Sequence, residues 1–198
     1  MAALVGLATA PSAIATARIG QQVVVGESQP SKHANRSRSR KPLIASAAAC
    51  PGQNHLDIPA EQQVETMRCM TDFARRQAGL GSLGGPAPLD VSAGRKARDI
   101  LSCDSFSHSA CGREFTYWMK ETGYLRGGCW RAGENLAWGI GQQGGVRAIF
   151  LAWMHSPEHR QNILGSYTDL GLGVEVGTLE GRDGTRVWTQ HFGSHCDR

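Results

Sequence analysis

Apolar residues recur at helical spacing through much of the chain and then switch to alternation. Val64, Met67, Met70, Phe73 and Ala74 share one face of a helix predicted over Glu61–Gln77. The Gly- and Pro-rich run 79–88 ends it. A second helix is predicted over Asp90–Leu101, with Asp90 at its N-cap and Val91, Ala97 and Leu101 turned inward. A third covers Glu114–Thr122 and stops at Gly123; a fourth, Gly145–His155, carries Val146, Ile149, Phe150 and Trp153 on one face. The period then falls to two. Leu170, Leu172, Val174 and Val176 mark a strand over Leu170–Leu179, Gly181–Gly184 turns the chain, and Thr185–Phe192 returns. Helices followed by an antiparallel hairpin give an α+β class rather than a βαβ repeat. No internal repeat is visible.

Charge divides the chain. Its 198 residues carry 21 Lys+Arg and 17 Asp+Glu, a net of +4. Residues 1–49 hold Arg18, Lys32, Arg36, Arg38, Arg40 and Lys41 against Glu27 alone, which leaves residues 50–198 near neutral. A nucleic-acid-binding fold would cluster its cations on the folded domain, so that class is disfavoured. Met1–Ala17 is apolar and ends in small-x-small triplets, Ala13-Ile14-Ala15 and Ala15-Thr16-Ala17, as an export signal does, although no Lys or Arg precedes Arg18. The segment falls short of the ~20 apolar residues of a membrane span, and Pro11 interrupts it. Lys32–Lys41 mixes cations with Ser and Asn and has no apolar period. Residues 18–49 are therefore expected to be a disordered basic linker, with anionic wall or headgroup surfaces as its candidate contact. Asn35-Arg36-Ser37 fits a glycosylation sequon.

The cysteines set the compartment. Cys50, Cys69, Cys103, Cys111, Cys129 and Cys196 are even in number and contain no C-x-x-C pair, which argues for disulfides outside the cytosol rather than a zinc ribbon. Many pairings are open to six cysteines. Cys103 and Cys111 bracket a short polar loop, and Cys50 precedes the helix bearing Cys69, leaving Cys129 for Cys196. The domain is expected over residues 50–198, secreted or extracytoplasmic, and monomeric.

Three segments concentrate the unusual side chains: Phe106-Ser107-His108-Ser109, the run Gly133-Glu134-Asn135-Leu136-Ala137-Trp138-Gly139, and Trp153-Met154-His155-Ser156-Pro157-Glu158-His159-Arg160-Gln161-Asn162-Ile163-Leu164. In this order, and followed by Gly171-Leu172-Gly173-Val174, they resemble the CAP superfamily, whose SCP domain occurs in cysteine-rich secretory proteins, antigen 5 and pathogenesis-related 1 proteins. The bacterial branch is the nearer match. The resemblance implies a single α-β-α sandwich. In eukaryotic members two His and two Glu line a central cleft and can hold a divalent metal, often zinc. Residue by residue, the first His is His108 and the first Glu is Glu134. The second His falls on His159, its segment standing for the eukaryotic G-H-x-T-Q. Ser156 stands three residues after Trp153, where the family has its second Glu, and Glu158 is a poor substitute.

The resemblance thus implies binding of a lipid, cell-wall or protein ligand through a cleft of His108, Glu134, Asn135, His159 and Asn162. The alternative is a metal-dependent hydrolase of peptide or glycan, with zinc or another divalent ion on His108, Glu134 and His159 and Glu158 as base. Convergence of those three side chains separates the two readings. His155-Ser156-Pro157-Glu158-His159 also spells H-x-x-E-H, but Pro157 disfavours one continuous helix and favours a new turn capped by Ser156. No G-x-S-x-G elbow, Walker A motif or dinucleotide fingerprint is present. Asn135 and Asn162 are read as amides bracing loops, and Trp130 and Trp138 as core or groove lining.

Overall fold

A computed structural model describes residues 42–196. The signal-like segment, the basic stretch 32–41 and the sequon lie outside the described residues. Helices α1 (Ala60–Gln77), α2 (Ala87–Ser102), α3 (Tyr117–Glu121), α4 (Val146–His155) and α5 (Pro157–Ile163) surround strands β1 (Trp130–Ile140), β2 (Asp169–Leu179) and β3 (Arg182–His195). The strands form one antiparallel sheet in the order β1-β3-β2. Alternation divides each strand between two faces. One face packs Leu170, Leu172, Trp188 and Phe192 against Met67 and Met70 of α1 and Ile149, Phe150 and Trp153 of α4. The other packs Leu136, Trp138 and Val187 against Ala97 and Ile100 of α2. The result is the α-β-α sandwich.

Glycines seat α2 on the sheet. A Cβ at Gly171 would strike the Leu89 carbonyl, and one at Gly173 would strike the Ala93–Gly94 backbone. The Gly-x-Gly of β2 is therefore a groove for a helix, which is why the helix comes close enough to share polar groups with β3.

Several elements differ from expectation. The run 130–140 is a full strand, although Gly133, Gly139 and the adjacent polar pair Glu134-Asn135 hide its alternation. Helix α2 begins at Ala87, so Asp90 lies in its first turn and is not its cap. Its carboxylate accepts from Arg68 Nη2 at 2.7 Å and from the Leu172 N–H at 2.9 Å, tying α1, α2 and β2 together. Val91 points to solvent, and α3 is shorter than the predicted helix. The hairpin turns on Glu180-Gly181, both with positive φ, so β3 starts at Arg182 rather than after Gly184. The last residues assigned to the linker belong to the folded body: Ala45 is buried, and its carbonyl accepts from Arg147 Nη1 at 3.1 Å.

Three disulfides join Cys50–Cys69, Cys103–Cys111 and Cys129–Cys196, with Cα separations of 5.8, 5.5 and 5.3 Å. Among the described residues no helix is long and apolar enough to cross a membrane.

Candidate functional site

Adjacent residues on β1 build two different sites, because a strand sends successive side chains to opposite faces. Glu134 faces α2. Its cross-strand partner on β3 is His191, whose Nε2–H donates to Glu134 Oε2 at 2.8 Å. His108, on the loop after α2, donates from Nδ1 to Glu134 Oε1 at 2.5 Å. The carboxylate only accepts, so each facing ring nitrogen carries the proton. The far side of His191 meets α2, where Ser92 Oγ lies 2.6 Å from Nδ1. One helical turn later, the Lys96 ammonium donates to the His108 carbonyl at 2.6 Å.

Apart from His108, which is partly exposed, these side chains are removed from water: the Glu134 side chain is 1% exposed and that of His191 is 0%. Burial alone would raise the Glu134 pKa. Hydrogen bonds from His108 and His191, with the charges of His191 and Lys96, outweigh it and hold the carboxyl below the usual range. Burial lowers the Lys96 pKa, against the attraction of Glu134 and Asp99.

Asn135 faces the other way and is paired in register with Gln190. Its Nδ2 donates to Gln190 Oε1 at 3.0 Å and to the His159 carbonyl at 3.1 Å. Asn162 Nδ2 donates to Asn135 Oδ1 at 2.9 Å and to the Glu134 carbonyl at 3.3 Å. Gln190 Nε2 continues to Thr71 Oγ1 of α1 at 3.1 Å. The expected bracing role of the two amides thus becomes a buried network linking α1, α5, β1 and β3.

His159 sits on α5, buried, with Nδ1 2.8 Å from Ser156 Oγ. Burial, then the charge of His108, push its pKa down to about 4, with Glu158 opposing. The ring is neutral at physiological pH. Ser156 occupies the N-cap and Pro157 the first turn of α5, but the Ser156 hydroxyl serves the His159 ring instead of a backbone N–H. His155 closes α4 and is exposed, so the two His of H-x-x-E-H stand on separate helices.

Of the three residues proposed as metal ligands, His108 and Glu134 are bonded to each other, and His159 feels the charge of His108 while its Nδ1 faces Ser156. Among the described residues no three His, Cys, Asp or Glu side chains are placed to hold a metal ion. Both Glu134 oxygens are bonded to imidazoles, and the second imidazole on Glu134 is His191, not His159. Sequence reasoning missed His191 and Lys96. Both lie on inward-facing positions of their elements, and a polar residue on an apolar stripe was the available signal. Trp138 is buried in the core with the Arg182 guanidinium 5.4 Å from its ring centroid, while Trp130 stays 38% exposed at the strand's start.

The family model for cysteine-rich secretory proteins (CAP) matches residues 61–192, which hold both sites, strands β1 and β2 and most of β3. The chain belongs to the CAP family. Its CAP domain is 34% identical over 127 residues to the YkwD protein of Bacillus subtilis (strain 168), covering 62% of this chain and 44% of that protein. The chain thus spans less than half the length of that relative. In fold it is similar to an outer surface protein of Borrelia burgdorferi (TM-score 0.58, 18% identity, 70% of this chain and 96% of that one). It is also similar to an extracellular SCP-domain protein of Bacillus anthracis (TM-score 0.52, 21% identity, 68% and 43%).

Proposed function

We propose that this CAP-domain chain is exported and acts by binding a lipid, cell-wall or protein ligand outside the cytoplasm, as a monomer, rather than by catalysis. The observation that carries this reading is the engagement of both Glu134 oxygens by imidazoles. A general base needs an oxygen within reach of a water or substrate proton. A metal hydrolase needs three convergent ligands and an open position. Ser156 stands where the family has its second carboxylate, and Glu158 lies on α5 beside the neutral His159. Three disulfides and the apolar N-terminus ending in small residues favour an oxidising compartment. The basic stretch 32–41 favours an anionic envelope surface as the first contact.

The test incubates the purified full chain with peptidoglycan, anionic vesicles and casein, with and without zinc. Co-sedimentation that weakens with salt, and no cleavage, is the expected result. Zinc-dependent cleavage lost in His108→Ala would overturn the reading in favour of the hydrolase. Failure to sediment with wall or vesicles at low salt would overturn the envelope ligand.

A further inference from the structure

Lys96 has no packing reason to be where it is. The inward stripe of α2 runs through Leu89, Ser92, Ala93, Lys96, Ala97 and Ile100, and all six are buried. Lys96 itself is 2% exposed, whereas a lysine is almost never fully buried unless its charge is paired. A leucine or methionine would fill the same space without desolvating an ammonium. Its ammonium feels the charge of Glu134 across His108. Nζ donates to the His108 carbonyl at 2.6 Å, and the ring of the same residue donates to Glu134 at 2.5 Å. The ammonium and the carboxylate therefore grip one residue from opposite ends, in an interior where a lone carboxylate could not stay ionised. Asp99, the other acid felt by Lys96, is occupied by Arg113 at 2.8 Å and by the Trp118 indole N–H at 2.7 Å, so Glu134 is the acid that needs a counter-charge.

We infer that Lys96 is the resident cation of this site: its ammonium supplies from inside α2 the positive charge that a divalent ion would supply from the cleft, and so closes the His/Glu cluster to metal. This rests on the non-metal reading of the cleft given above, and it adds a cause. A metal ion entering beside Glu134 would meet a fixed like charge in a low-dielectric pocket, where repulsion is strong. The missing second Glu and the buried Lys are then two parts of one arrangement, since both remove the electrostatic reason for a cation to bind.

The test measures zinc binding by calorimetry and equilibrium dialysis on the full chain, wild type against Lys96→Met. Methionine keeps the length and drops the charge. The expected result is no uptake by the wild type at micromolar zinc. Lys96→Met should show affinity at least ~10-fold higher, abolished by adding His108→Ala. Equal affinities would overturn the role of Lys96 while leaving the non-metal cleft standing. Stoichiometric uptake by the wild type would overturn both. Where Lys96→Met does not fold, nitrogen-labelled lysine NMR of the wild type decides: a slowly exchanging ammonium at Lys96 is expected, and a neutral amine overturns the inference.

Discussion

The two faces of the sheet solve the problem of buried polarity differently. On the α2 face, Glu134, His191, His108 and Lys96 form an ionic cluster in which an anion is surrounded by donors. On the α1/α4 face, Asn135, Gln190, Asn162 and Thr71 form a neutral chain of amides and a hydroxyl. The same two strands supply both, one residue apart: Glu134 beside Asn135, and His191 beside Gln190. Removing one partner from a charged cluster strands a desolvated charge, whereas removing one amide strands dipoles. The two sites should therefore differ in cost and in their response to pH.

The largest effect is expected at the ionic cluster. Glu134→Ala leaves His191 and Lys96 facing a void, and urea unfolding should show a loss of about 3–5 kcal/mol, the usual cost of breaking a buried pair. A loss no greater than that of Asn135→Ala would erase the distinction between the faces. Next comes pH. The folded protein keeps His159 neutral down to about pH 4, while the unfolded chain protonates it near the ordinary histidine value of 6.5. Below 6.5 the unfolded state binds the extra proton, so stability should fall by up to about 3 kcal/mol between pH 6.5 and 4 and depend no further on this group below that. Denaturation midpoints across that range test it, and a His159→Gln variant should lose that part of the slope. Asn135→Ala should cost about 1–3 kcal/mol, since Gln190 Oε1 and Asn162 Nδ2 each lose a partner. At the small end, Arg98 pairs with Glu175 at the rim of the α2 face with its side chain 67% exposed, and Arg98→Ala should cost under about 1 kcal/mol at physiological salt. A larger value there would mean that the ionic character of this face extends to its surface.

Legibility in the sequence followed locality. Helices α1 and α4 were plain because their apolar stripes are unbroken over several turns, and β2 because Leu170, Leu172 and Val174 alternate cleanly. Strand β1 was hidden because both of its faces are buried, one of them around a charge, and two glycines interrupt it. Of the cleft residues, His108 and Glu134 were found through a family resemblance and do meet. His159 bonds Ser156 and lies close enough to His108 to feel its charge, while the second imidazole on Glu134 comes from β3, which no local pattern reveals. The disulfides Cys103–Cys111 and Cys50–Cys69 followed from neighbourhood, and Cys129–Cys196 only by elimination.

The sequence by itself determined what depends on neighbours along the chain: helical stripes, the hairpin, the charge boundary before Cys50, and a set of polar residues too unusual to be surface decoration. Tertiary structure decided what depends on register and depth. The pairing of β1 with β3 sets Glu134 opposite His191, and the glycine groove of β2 brings Lys96 beneath them. A side chain's chemistry is written in its residue type, but its charge partner is fixed by which strand lies across from it, and no local pattern encodes that distance.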